Sequence, residues 1–205
     1  MRRSSRYIGG GPALARRIPK ELKVIILTVF GILCTIGVGL ILRRLLPLGN
    51  LLNIGREAFI IFNIYGYAFS LIAAASTVIR RRDRIILILA ATVMWGIFVA
   101  EEMALEMVRF ILFASLITVG VRIGRRITAK SVAGRVLLRA GICALICGIG
   151  GLAYHGFGSL FGVPEYCLMG GLSTALSWGL ALGFAVGLGI SLGSEVVEWM
   201  AKRAA

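Results

Sequence analysis

Six apolar stretches, separated by short polar gaps, occupy most of this 205-residue chain. A bilayer core about 30 Å thick is crossed by about 20 apolar residues in a helix. Backbone polar groups in lipid must be satisfied within each segment, which favours helices over strands. The mean hydropathy of +0.93 is not typical of a water-soluble domain. The sequence therefore predicts an all-α integral membrane protein with about six transmembrane helices.

Charged residues and the ends of the apolar runs set the limits of the predicted spans. The spans cover residues 24–42, 58–79, 85–100, 103–121, 140–154 and 167–193. We expect a basic cytoplasmic tail over residues 1–23, a transmembrane domain over 24–199 and a short tail over 200–205. A basic inner loop, residues 122–139, separates the fourth span from the fifth.

Basic residues are concentrated in alternate gaps, and this pattern predicts the orientation. If the N-terminus is cytoplasmic, the inner segments hold all 23 Lys and Arg residues except Arg43, Arg44, Arg56 and Arg109. Cytoplasmic loops are enriched in Lys and Arg, so both ends are predicted to lie inside. The expected location is the cytoplasmic membrane of a prokaryote. The chain has no Gln and only three Asn, and this depletion of thermolabile amides fits a thermophile.

The junction between the third and fourth spans allows two interpretations. Residues 100–109, AEEMALEMVR, contain no Gly or Pro, which locally favours one continuous helix. A helix over residues 85–121 would be about 55 Å long, far more than a bilayer needs. It would also leave five crossings and place the 122–139 loop outside. We prefer a hairpin with its acidic cluster at the outer surface, and the long helix is the alternative.

The net charge of +14 predicts contact with anionic lipid headgroups. Each basic residue near such a surface contributes about 1 kcal/mol, and the Arg residues here sit at helix ends. Binding of nucleic acid or of an acidic protein is the alternative, but specific nucleic-acid binding is not expected because no separate basic domain with interleaved aromatics is present. The 122–139 loop could form a short amphipathic helix on which a soluble partner docks. The predicted headgroup contacts are Arg80, Arg81, Arg82, Arg84, Arg122, Arg125 and Arg126.

Small residues recur every four positions in the last span. Such spacing lets helix backbones approach closely, which is a main source of helix association in lipid. The pattern predicts a helix-packing ridge of the GxxxG type, and Glu195 continues its spacing. The ridge could pack within one subunit, form an oligomer interface or line a pore. Its members are Gly171, Ala175, Gly179, Gly183, Gly187 and Ser191.

Three ionisable residues near the fourth span form the candidate site. Glu102 and Glu106 are four residues apart and Arg109 follows three later, so a helix places all three on one face. Ionisable groups within a membrane are costly and often functional. The cluster could bind a cation or a proton, or it could be an interfacial acidic cap with a snorkelling arginine. Tyr65 in the second span is a mild polar mark that could hydrogen-bond between helices.

Signals for an enzyme are weak. The sequence has no phosphate-binding loop, dinucleotide fingerprint, nucleophile elbow or zinc-protease motif. His155 is the only histidine and is more typical of an interfacial residue than of a metal ligand. Cys143 and Cys147 lie one turn apart and suit packing better than redox chemistry. We expect no catalytic residues, no metal and no cofactor.

Two functions fit this pattern. The first is a transporter or channel for a small solute or ion, with a path near the acidic cluster or beside the ridge. The alternative is a non-catalytic structural or assembly subunit of a larger membrane complex, because the parts outside the membrane are small. The expected partners are the anionic bilayer and either further copies of this chain or other membrane subunits.

Overall fold

The computed structural model describes residues 18–45, 56–98, 103–160, 162 and 171–203. Within these ranges the chain is helical and contains no strand, so the prediction of an all-helical protein is confirmed. The helices are α1 Lys20–Leu45, α2 Arg56–Ser76, α3 Arg81–Phe98, α4 Met103–Gly124, α5 Val132–Leu160 and α6 Leu172–Arg203.

Local capping explains where two of the long helices begin. The Ser131 side-chain oxygen accepts a hydrogen bond from the Gly134 N–H at 3.0 Å, which satisfies a free donor in the first turn of α5. Gly171 precedes α6 with a φ of 154°, and its carbonyl accepts the first hydrogen bond of that helix from Ala175. A side chain would be strained at this φ, so glycine suits the position.

The six helices alternate in direction, so one end of the bundle collects most of the charge. The turn between α2 and α3 and the linker between α4 and α5 line a common cleft at this end. Lys23, near the start of α1, lies within electrostatic range of Arg125 and of Glu198 near the end of α6. We call this the basic end. It is formed by Lys23, residues 77–84, residues 122–139 and residues 195–203.

Helix α6 lies at the centre of the bundle and contacts α1, α2, α4 and α5. Its most extensive contact is with α5, and glycines make that contact close. A Cβ added at Gly179 would collide with the carbonyl oxygen of Cys147. One added at Gly187 would lie 2.7 Å from the Cys143 Cβ. The α5 and α6 backbones therefore approach too closely here for any larger residue.

A second row of small residues packs α6 against α1. A Cβ at Gly189 would collide with the Gly31 Cα, and one at Gly193 would lie 3.0 Å from Leu27. On its other side, Gly31 faces Ser70 of α2, at 2.5 Å from the Ser70 Oγ to the position of an added Cβ. Helix α1 is thus held between α2 and α6 by backbone-level contacts.

In the part of the chain that the structure describes, four helices are long and apolar enough to cross a membrane, rather than the six predicted. By length and composition these are α1, α4, α5 and α6. In α2 the apolar segment is only Ile60–Ser76. The first four residues of α3 are all charged, so only about 21 Å of this helix is apolar at 1.5 Å per residue. These two helices fall short of the 30 Å that a single straight span requires.

Two features of the helix boundaries bear on the predictions: the start of α5 within the 122–139 segment, and the junction between α3 and α4. Helix α5 begins at Val132, so the second half of the predicted loop belongs to a membrane-length helix. Helices α3 and α4 are separate, because the rings of Trp95 and Phe110 stack with centroids 5.2 Å apart. In one continuous helix these residues would lie about 22 Å apart. The chain therefore reverses between α3 and α4.

The close contact of α5 and α6 predicts a strong position dependence for glycine substitution. Gly179→Ala should lower the free energy of unfolding by about 1–3 kcal/mol, because the new methyl group meets the α5 backbone. Gly141→Ala on α5 is the matched control, since a Cβ there meets nothing within 4 Å. Reversible unfolding in detergent measures both variants. Equal stabilities would contradict this packing.

Candidate functional site

A buried ion pair lies near the start of α4. Glu106 is 7% exposed, and its Oε1 pairs with the Arg109 guanidinium three residues later on the same helix face. Glu102, the third residue of the predicted cluster, lies outside the described residues. Removing two charges from water is expensive unless both are paired and hydrogen-bonded. The surrounding helices supply the additional partners.

Two tyrosines from other helices complete the site. The Tyr65 hydroxyl of α2 donates a hydrogen bond to the Glu106 Oε2. An Arg109 Nη2–H group donates to the Tyr154 hydroxyl of α5 at 3.4 Å, and the Arg109 Cζ lies 5.2 Å from the Tyr154 ring centroid. We call Tyr65, Glu106, Arg109 and Tyr154 the polar cluster. It connects α2, α4 and α5.

Aromatic side chains surround the polar cluster on its inner side. Trp95 lies 4.7 Å from the Tyr65 ring, between centroids, and stacks on Phe110. Phe69 lies 5.0 Å from Phe110 and is fully buried. These rings displace water, and electrostatic interactions are stronger in such a low-dielectric environment. The aromatic surroundings therefore strengthen the ion pair and the hydrogen bonds of the polar cluster.

The polar cluster lies far from the basic end. At 1.5 Å per residue, Glu106 is about 22 Å along α4 from Val121, which lines the cleft at the basic end. A hydrocarbon core about 30 Å thick would place the carboxylate within the opposite half of the membrane. An ionised carboxylate at that depth is costly without partners, and Arg109 and Tyr65 provide them.

An apolar groove runs beside the polar cluster between α4 and α5. It has a volume of about 570 Å³ and is open to the outside. Tyr154 forms part of its wall, so the groove reaches the residue that binds Arg109. The remaining lining is Leu105, Val108, Ile111, Leu112, Ser115, Ala153, Phe157 and Gly158. Such a lining suits an acyl chain or an apolar helix face rather than a polar solute.

A second charged cluster joins α5 and α6 at the basic end. Arg135 binds Glu195 through two parallel hydrogen bonds of 3.1 Å and 2.8 Å, and Arg139 binds the same carboxylate at 3.4 Å. Arg125 lies beyond Arg139. Burial and the charge of Arg139 lower the pKa of the Arg125 guanidinium, and Glu198 partly opposes them. Positive charge therefore exceeds negative charge in this region.

The predicted headgroup-contact residues divide into two groups. Arg80, Arg81, Arg82, Arg122 and Arg126 are exposed at the basic end, whereas Arg84 and Arg125 are partly buried. Arg84, Arg122 and Arg125 line one cleft.

The members of the predicted ridge have different surroundings. Gly179, Gly183 and Gly187 face α5, and Ala175 approaches Gly151 of the same helix. Ser191 lines a small cavity with Arg125 and Arg139. Gly171 lies before α6, and the space beside its Cα is open.

Several partners in the two charged clusters were not predicted from the sequence. Tyr154 and the contacts of Glu195 with Arg135 and Arg139 were not predicted, and Tyr65 was noted only as a mild polar mark. The four-residue spacing of the ridge does lead to Glu195, so one signal for the second cluster was present. Among the described residues, no group of three His, Cys, Asp or Glu could hold a metal ion. Cys34, Cys143 and Cys147 are free thiols.

Comparisons with known protein families, curated proteins and solved structures find no match to this chain.

The hydrogen bond between Tyr65 and Glu106 predicts unequal effects of two conservative substitutions on α2. Tyr65→Phe should lower the free energy of unfolding by about 1–2 kcal/mol, because a buried carboxylate loses its donor. Tyr67→Phe is the control, since Tyr67 is exposed two residues away on the same helix, and its cost should stay below about 0.5 kcal/mol. Unfolding in detergent measures both. A cost for Tyr67→Phe as large as that for Tyr65→Phe would show that the bond contributes nothing.

Proposed function

We propose that this protein transports a small ion or solute across a membrane and that Glu106 is its proton- or cation-binding group. The observation that carries the proposal is the burial of the Glu106 carboxylate between Arg109 of the same helix and Tyr65 of α2. An ionisable residue inside a helical membrane protein is by default a candidate for a transport pathway. We propose the cytoplasmic membrane of a prokaryote as the location.

Protonation of Glu106 would change the contacts of three helices at once. The neutral acid no longer attracts Arg109, and Tyr65 loses a charged acceptor. Arg109 would then lose the carboxylate that balances its charge in a buried site, which is unfavourable. A shift of α4 relative to α2 and α5 would relieve that cost. Binding of a cation to the carboxylate would act in the same way, because it also displaces Arg109.

We propose a topology of six crossings with both termini in the cytoplasm. The alternating directions of the six helices support it, as does the collection of Arg and Lys at the basic end. Helices α2 and α3 would cross with help from the charged residues at the start of α3, whose long side chains extend to the headgroups.

An assembly subunit is the second candidate function. The apolar groove between α4 and α5 supports it, because the groove is open and could receive a helix of another membrane subunit or of a second copy. In that case the polar cluster would only hold the helices together, and Glu106 would have no role in transport.

The topology is tested with a reporter that is active only in the cytoplasm. The reporter is fused after residue 205 or inserted at Thr128 in the α4–α5 linker. It should be active at both positions, since the last turn of α6 and this linker belong to the basic end. Insertion at Gly162, beyond the far end of α5, is the control and should give an inactive reporter. Activity at Gly162 would refute the six-crossing arrangement.

The transport proposal is tested by proton flux in liposomes. A potassium diffusion potential drives flux through the purified full-length chain, and a pH-sensitive dye inside the vesicles reports it. Glu106→Gln should reduce the flux at least about tenfold, because general proton transfer depends on a titratable group. Glu21→Gln, at an exposed position in α1, should leave the flux unchanged.

Thermal unfolding distinguishes a loss of proton flux in Glu106→Gln from misfolding of the variant. Gln keeps an oxygen that can accept the Tyr65 hydrogen bond, so the variant should remain folded, which thermal unfolding checks. Equal flux in folded Glu106→Gln and wild-type protein would show that Glu106 has no role in transport. Stoichiometric co-purification of other membrane chains, together with that equality, would favour the assembly subunit.

A further inference from the structure

Three arginines converge on one cleft at the basic end. Arg84 comes from the first turn of α3, Arg122 from the last turn of α4 and Arg125 from the residues that follow. The cleft has a volume of about 200 Å³. Its other lining residues are Ser76, Thr77, Ile79 and Val121. None of the lining residues is acidic.

These guanidinium groups have no carboxylate partners within the described part of the chain. The ion pairs there join Glu106 to Arg109 and Glu195 to Arg135 and Arg139. The Arg84 Nε is buried without a hydrogen-bond partner. Glu198 attracts Arg125 only at longer range, while Arg139 repels it. Asp83, the acidic residue nearest to Arg84 in sequence, is exposed.

The end of α2 does not account for this excess of charge. The C-terminus of a helix favours a nearby cation by about 0.3–1 kcal/mol. The Ser76 and Thr77 hydroxyls already donate to the carbonyl oxygens of Ala73 and Ala74. One arginine could interact with the remaining carbonyls. Three converging guanidinium groups, one with a buried and unpartnered nitrogen, exceed what a helix terminus requires.

The geometry points to a binding site for a phosphate group in the cleft lined by Arg84, Arg122 and Arg125. The planar donor fork of arginine matches the oxygens of a phosphate, and charge-assisted bonds of this kind are among the strongest hydrogen bonds in proteins. A water molecule takes about 30 Å³ in the liquid, so the cleft has room for a tetrahedral anion of five heavy atoms. A bound phosphate would also supply the negative charge that the cleft lacks.

The phosphate could belong to an anionic phospholipid or be free in the cytoplasm. Basic pockets between transmembrane helices on the cytoplasmic side are typical headgroup sites. A free phosphate would use the same donors. The site does not depend on transport, because Arg122 lies about 24 Å along α4 from Glu106. Either source would link the α2–α3 turn to the α4–α5 linker.

Thermal unfolding of the full-length chain in lipid nanodiscs tests the site. One arm compares phosphatidylcholine discs with discs that also contain phosphatidylglycerol. A second arm adds inorganic phosphate, at constant ionic strength, to phosphatidylcholine discs. Saturating ligand should raise the unfolding midpoint by at least about 5 °C. A rise with phosphatidylglycerol alone assigns the site to a lipid headgroup, and a rise with inorganic phosphate assigns it to free phosphate.

Paired variants separate a specific site from surface charge. Arg84→Gln with Arg122→Gln should abolish most of the rise. Arg81→Gln with Arg82→Gln removes the same amount of charge from exposed positions on α3, and this variant should keep the rise in the unfolding midpoint. If the first pair does not fold, Arg84→Lys with Arg122→Lys keeps the charge but loses the donor forks, and it should lose more than half of the rise. No rise in either arm, or an equal loss in the exposed pair, would overturn the proposal.

Discussion

The close approach of α5 and α6 is the constraint on which the rest of the structure depends. Helices in lipid have no hydrophobic driving force between them, so packing and hydrogen bonds must hold them together. Gly179 and Gly187 bring the α6 backbone against α5, and the opposite face of α6 remains available for α1. This pairing also fixes both charged regions. It brings Glu195 within reach of Arg135, and it anchors the helix that carries Tyr154 toward Arg109.

The two ends of the bundle differ in their balance of positive and negative side chains. In the polar cluster the charges of Glu106 and Arg109 balance, and the hydroxyls of Tyr65 and Tyr154 each form one further hydrogen bond. At the basic end the arginines exceed the carboxylates, and some guanidinium nitrogens are buried without partners. Anionic lipid headgroups would balance this excess of positive charge.

Much of the architecture could be predicted because it rests on local patterns. Long apolar runs indicate helices, and the four-residue spacing marks Gly179, Gly183 and Gly187. Gly171 has the same spacing but precedes the helix, so spacing alone misplaces it. Fewer of the described helices reach membrane length than predicted, because α3 begins with four charged residues and the apolar segment of α2 is only Ile60–Ser76. The tyrosine partners could not be predicted from the sequence, because Tyr65 and Glu106 are 41 residues apart and only tertiary packing joins them.

The interfaces differ in how easily they could move, and this bears on mechanism. Between α5 and α6 the backbones are in contact, so sliding would force carbonyl oxygens into glycines. The contact between α2 and α4 is much smaller and joins Tyr65 to Glu106 through a hydrogen bond and aromatic rings. Rings and hydroxyls have alternative arrangements that tightly packed backbones lack. A conformational cycle in this protein would therefore move α4 and α2 against a fixed pair of α5 and α6. Because α4 also carries Arg122, such motion would reshape the cleft at the basic end.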